Sequence, residues 1–212
     1  MKNTLVCLWG LTKFDLTDTV IGLKNIFGDN IDFLISTWDD QLFNEEYFKF
    51  ILKSKSPTKE YLDEIGFPFT QQIKNVPEWH SVRFGHYAQF YHNFKILQFL
   101  NDNSLNYDIL VKSRTDVVFE TDFNFDFSID KCYIPEIYWA SKGVGINDHF
   151  ICGDFSYLKE SLHIENFEEF FEIVENTWNP ETILQKLLLS NNSNIMEFKC
   201  SSYLLLPDRK LL

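Results

Sequence analysis

Short, continuous apolar runs alternate along this chain with stretches in which apolar residues recur every three or four positions. Leu5–Trp9 is the first run, and it stops at Gly10. A run of this kind predicts a strand buried on both faces. Thr17 or Asp18 is placed to cap a helix carrying Val20, Ile21, Leu23 and Ile26, with Gly28 just past its end. Ile31–Ser36 predicts a second strand, which runs into Thr37, Trp38, Asp39 and Asp40. Asn44 is expected to cap a helix over Glu45–Lys53. Ser54–Pro77 holds three prolines and a glycine, and reads as an excursion from the main sheet. A long helix is predicted from about Val82 to Asn101. Its packed face carries Tyr87, Phe90, Tyr91, Phe94, Leu97 and Leu100. Tyr107–Ser113 is a strand, and Lys131–Pro135 another. Ile146–Cys152 is a strand or a turn into one, closed by Gly153. Helices are expected over Phe155–His163, Phe167–Asn176 and Pro180–Ser190, and terminal strands over Ile195–Cys200 and Tyr203–Leu206.

Strand–helix alternation in the first half predicts an α/β fold with a mostly parallel central sheet flanked by helices. The second half is less regular, which suits a part of the fold that builds a substrate side. With 212 residues, 45% of them apolar, the chain is expected to form a single domain over 1–212. The formal net charge of −12 argues against a nucleic-acid partner and against anionic membranes. A phosphate-bearing ligand would need a locally positive field from a metal, backbone amides or a few placed Lys and Arg. Cys7, Cys132, Cys152 and Cys200 form no CxxC pair, so a zinc site is not expected and a reducing compartment is. The N-terminal apolar run is too short for a signal peptide. No transmembrane segment is expected, because no run approaches the roughly 20 apolar residues of a span. The expectation is a soluble, cytoplasmic protein.

One segment changes the picture. The strand through Ile109, Leu110 and Val111 ends in Lys112, Ser113, Arg114, Thr115 and Asp116, and Val117, Val118 and Phe119 follow at once. Polar groups wedged between two buried runs are costly unless they meet partners. In open α/β sheets, ligands sit at the carboxyl ends of strands. Gly10–Lys13, Thr37–Asp40 and Arg114–Asp116 all follow predicted strands, so a parallel sheet would bring them to one edge. Any one of them alone reads equally well as a solvated loop. Their shared placement favours a pocket.

The order of FLISTWDD, QFYHNFKILQFL, YDILVKSRTDVVF and GINDHFICGD after a first strand ending in Gly resembles sugar transferases of the GT-A fold. The likeness is to bacterial and viral members that assemble surface polysaccharides and glycans, and it spans Leu5 to Asp154. It implies a GT-A-like (Rossmann-like) sheet with a nucleotide-sugar donor at its edge and a glycan or lipid-linked acceptor. Residues 1–120 would form the nucleotide-sugar-binding half and 121–212 the acceptor-side half. It also implies Mg2+ or Mn2+ held by a DxD-like motif. Asp116 matches the last acid of that motif, while Arg114 stands where the first acid belongs. Arg cannot ligate a metal but can grip a diphosphate in two places. Either Asp116 alone contacts the metal, with waters completing its shell, or the site needs no metal.

The resemblance places Asp39 and Asp40 at the nucleoside or sugar part of the donor, with Trp38 packed beneath it. The alternative for Trp38 is a place in the core. Gly10 would let backbone amides approach the ligand, and Lys13 would neutralise phosphate. Asp148 in GINDHF matches the acceptor side and is the candidate catalytic base of an inverting transfer. Its alternative is a turn cap, and Glu136 and Glu181 are the next candidates for the base. Arg83, with Gln89 farther along the same helix, either faces the donor or makes an ordinary salt bridge. Tyr138 and Trp139, before Ser141, Lys142 and Gly143, either line the acceptor site or pack in the core or as a lid. Two rival functions are a non-catalytic binding or assembly module of the same fold and a sugar nucleotidyltransferase. The latter would want a glycine-rich, basic first loop that CLWGLTK lacks.

Overall fold

The computed structural model describes residues 2–10, 15–64, 79–119, 128–136, 148–165, 180–198 and 203–205. The strands are β1 Thr4–Trp9, β2 Ile31–Trp38, β3 Phe50–Ser54, β4 Ile109–Arg114, β5 Val117–Phe119, β6 Cys132–Pro135, β7 Phe150–Asp154, β8 Ile195–Phe198 and β9 Tyr203–Leu205. The helices are α1 Thr17–Phe27, α2 Lys59–Glu64, α3 Trp79–Asp102, α4 Phe155–Ser161 and α5 Pro180–Ser190. Seven strands form one sheet in the order β3-β2-β1-β4-β7-β6-β8, and β5 pairs with β9 in a separate ribbon. Pairings β3–β2, β2–β1, β1–β4 and β6–β8 are parallel. β7 runs antiparallel to both β4 and β6. The sheet is therefore mixed, and its parallel part lies where strands and helices alternate in sequence.

Every residue of β1 is buried. Alternate side chains feed two cores. Leu5, Cys7 and Trp9 pack with α3, α4 and α5 through Phe90, Leu97, Leu100, Leu158, Ile183 and Leu187. Val6 and Leu8 pack with Leu16, Val20 and Leu23 of the α1 region. Helices thus cover both faces of the sheet, which is why its central strands read as unbroken apolar runs. Burial raises the thiols of Cys7, Cys132 and Cys152, the second to about 11, and all three are free. Among the described residues no helix is long and apolar enough to cross a membrane.

Local signals account for several boundaries. Asp15 Oδ1 accepts from Thr17 N at 3.0 Å at the start of α1, and Gly28 ends that helix at φ 82°. Asp154 caps α4 through Ser156 N and Tyr157 N, each at 3.1 Å. The helix expected over Glu45–Lys53 is instead a 3-10 turn, Glu45–Tyr47, followed by β3. Asn44 does cap the turn, accepting from Glu46 N at 3.1 Å. The rest is drawn into the sheet because Phe50–Ser54 satisfies its backbone on the parallel edge of β2, Leu34–Trp38. The segment Phe167–Asn176 lies outside the described residues.

Candidate functional site

β1 has β2 on one side and β4 on the other. The helix that follows β1 packs on one face, and the long helix that precedes β4 packs on the other. The carboxyl ends of β1 and β4 therefore lie at a topological switch point, the place where ligands of open α/β sheets sit. Hydrogen bonds join the loops that meet there. Thr37 Oγ1 donates to Gly10 O at 3.1 Å, and Thr19 Oγ1 donates to Thr115 O at 3.0 Å. Thr115 N donates to Trp9 O at 3.2 Å, and Arg114 N to His149 O at 3.0 Å. The last bond follows from β7 running antiparallel to β4, which returns Asp148 and His149 beside Arg114. Gly10 sits at φ 125°, and a Cβ there would lie 3.1 Å from Thr115 Oγ1. Only glycine passes that point without strain.

Arg114 and Asp116 form a two-point fork. Nε donates to Oδ1 at 2.7 Å and Nη2 to Oδ2 at 2.5 Å. Burial disfavours the charged guanidinium, but Asp116, Asp148 and Glu181 outweigh it and raise its pKa. Asp148 is 3% exposed. Gln89 Nε2 of α3 donates to its Oδ2 at 2.7 Å, and His149 Nε2 lies 3.4 Å from its Oδ1. Burial lowers the His149 pKa, against the pull of Asp148. Glu181, in the first turn of α5, is half-buried; desolvation, with Asp148 nearby, raises its pKa.

Lys112 completes the cluster. It is 4% exposed and stands 5.1 Å from the centre of the Trp9 ring. Arg114 lies 5.8 Å from that centre. Desolvation pushes the Lys112 pKa down to about 8, with Asp148 opposing the shift and Arg114 reinforcing it. A second buried polar pair adjoins the cluster on α3. His92 Nδ1 and Ser36 Oγ are 2.9 Å apart, and desolvation pushes the His92 pKa down to about 3.

The structure therefore brings Gly10, Arg114, Asp116 and Asp148 together at one sheet edge. Asp39 and Asp40 are exposed on the same edge, just past β2. Trp38 takes the core alternative. It is 1% exposed, with its ring 5.4 Å from Tyr91 and 4.2 Å from His92, so it offers no open face to a donor. Lys13, Tyr138 and Trp139 lie outside the described residues. Arg83 is in α3, in a stretch whose side chains are not described. Glu136 follows β6 and donates its N to Phe198 O at 2.9 Å. Sequence reasoning gave Lys112 no role. Its signal is the period of two, which puts it on the face of β4 that carries Arg114. The Gln89–Asp148 contact joins residues 59 positions apart and has no local signal. No protein-family model matches the chain, and no curated protein matches its sequence.

Proposed function

We propose that the chain is a glycosyltransferase that moves a sugar from a nucleotide-sugar donor to a glycan or other hydroxyl acceptor. The observation that carries this reading is the meeting of the Arg114–Asp116 fork and Asp148 at the switch point of the sheet. A departing nucleoside diphosphate gains negative charge in the transition state. A guanidinium already oriented by Asp116 meets that charge without reorganising. Asp148, oriented by Gln89, takes the proton of the acceptor hydroxyl. Gly10 gives the donor a close approach to backbone, and the exposed Asp39 and Asp40 are acceptors for its hydroxyls.

The resemblance to GT-A enzymes implies Mg2+ or Mn2+ at Asp116. Both oxygens of that carboxylate accept from Arg114, and a guanidinium on the same carboxylate repels a dication. The donor set does not fit the ion, so the charge compensation falls to the chain's own cations. A second reading, a binding module of the same fold without turnover, is favoured by one observation: Asp148 is nearly inaccessible and hydrogen-bonded to Gln89.

The test is incubation with a panel of nucleotide sugars and hydroxyl acceptors, following release of nucleoside diphosphate. Release that falls sharply in Arg114→Met and in Asp148→Asn supports the transferase. Nucleotide binding with no release supports the module. Pyrophosphate formed from a nucleoside triphosphate and a sugar phosphate would identify a nucleotidyltransferase instead.

A further inference from the structure

Topology places one more acid at the edge where Asp148 lies. β7 runs antiparallel to β4 and to β6, and β8 runs parallel to β6, so β8 has the direction of β4. α5 leads into the amino end of β8 and packs on the same core as Leu110 of β4. Its first turn therefore reaches the carboxyl edge. Leu184 and Leu187 of α5 line one cavity with Leu110 and Lys112 of β4. Residues at i and i+3 share a helix face, and residues two apart share a strand face. Continuing both patterns sets Glu181 against Arg114. The two attract one another, and Asp148 is close enough to repel Glu181.

A transfer of the kind proposed above leaves a proton behind in each turnover. Asp148 takes it, yet Asp148 is 3% exposed and must lose it again before the next turnover. Its neighbours differ in what they can accept. Gln89 is an amide and holds no acid proton. Both oxygens of Asp116 are taken by Arg114. Lys112 and Arg114 already carry their protons at neutral pH. Burial disfavours a charged His149. Glu181 is a carboxylate, and it is only half-buried, so it reaches water. An acid in the first turn of a helix is ordinarily held ionised by the helix N-terminus. Glu181 is shifted the other way, by desolvation and by Asp148, which suits a group that picks up a proton from a carboxyl neighbour.

We propose that Glu181 carries to water the proton that Asp148 takes from the acceptor hydroxyl. This rests on the transferase reading above. The acceptor O–H bond breaks and its proton passes to an Asp148 oxygen. The acceptor oxygen bonds the sugar carbon as the bond from that carbon to the diphosphate breaks, and the electron pair leaves with the diphosphate. The proton then moves from Asp148 to a Glu181 oxygen and from there to water, and both carboxylates are ionised again. Glu181 acts through Asp148 and touches neither donor nor acceptor.

The experiment follows nucleoside diphosphate release from UDP-glucose, GDP-mannose and dTDP-glucose, with methyl glycosides as acceptors. Wild type, Glu181→Gln, Glu181→Asp and Asp148→Asn are compared in dilute buffer and with imidazole added in excess. Each variant is first checked for a cooperative urea transition. Glu181→Gln should lower kcat about a hundred-fold in dilute buffer and leave the donor KM unchanged. Added imidazole should restore its rate by taking the proton instead. Glu181→Asp should keep most of the rate, and wild type should not respond to imidazole. A Glu181→Gln rate equal to wild type, or a loss that imidazole does not repair, overturns the relay; release that is still lost in Asp148→Asn then leaves the transferase reading standing. No release by wild type from any donor overturns both.

Discussion

Replacing Lys112 by methionine should make the protein more stable. The lysine stem is buried, and desolvation holds its pKa at about 8 against 10.5 in an exposed chain. At roughly 1.4 kcal/mol per pKa unit, keeping the ammonium charged at neutral pH costs about 3 kcal/mol. The contact with the Trp9 ring returns about 1 kcal/mol, which methionine forgoes. The net gain for Lys112→Met is about 2 kcal/mol at pH 7, or about 4–8 °C in Tm for a chain of this size. The sign with pH follows from linkage. The folded pKa lies below the unfolded one, so between pH 8 and 10.5 the unfolded chain binds more protons and wild type gains stability as pH rises. The advantage of the variant is therefore complete below pH 8, shrinks through that window and vanishes near 10.5. Urea denaturation of both proteins at pH 7, 9 and 10.5 measures it, and other titrating groups cancel in the difference. A variant less stable than wild type at pH 7 would refute the reasoning, and so would a difference that stays constant across the window.

Three further outcomes follow from the same geometry. Gly10→Ala forces a Cβ to φ 125° and to 3.1 Å from Thr115 Oγ1; a loss of about 1–3 kcal/mol in urea denaturation is expected, and a neutral result would mean the β1 loop relaxes freely. Gln89→Leu removes the 2.7 Å bond to the buried Asp148 carboxylate; it should cost about 1.5–3 kcal/mol at pH 7, and an unchanged urea midpoint would show that the contact is not made. His92 has a folded pKa of about 3 against 6.5, so the folded state holds fewer protons in that window and its contribution is lost as pH falls. Wild type should lose roughly 3 kcal/mol more than His92→Gln between pH 6.5 and 4, and parallel stability curves would contradict a buried neutral imidazole.

Much of the frame was legible along the chain. Leu5–Trp9, Phe33–Ile35 and Ile109–Val111 are unbroken apolar runs because helices cover both faces of the strands they form, and that burial leaves its mark in composition alone. The Asp154 cap of α4 is equally local, acting within three residues of itself, whereas the Thr17 or Asp18 cap expected for α1 is not made: Leu16 stands at its N-cap without a side-chain bond. The polar break at Lys112–Asp116 marked the end of β4 at Arg114, because unpaired polar residues are costly between buried runs. These features depend on short-range backbone and solvation effects, which a sequence states directly.

The structure decided the rest. Phe50–Ser54 carries a pattern that fits helix or strand, and the open edge of β2 chose strand. Trp38 was drawn beneath α3 by Tyr91 and His92, more than 50 residues away, rather than toward a ligand. Asp148 met Arg114 and Gln89 only because β7 runs antiparallel to β4 and α3 packs across that face. The same register set Lys112 and Arg114 beside one indole and buried a lysine that reads, in sequence, as part of a polar turn. Pairing and register are long-range choices, fixed by which surfaces can be buried together. Composition and periodicity determined what this protein could bury, and the packing determined which charges it had to bury with them.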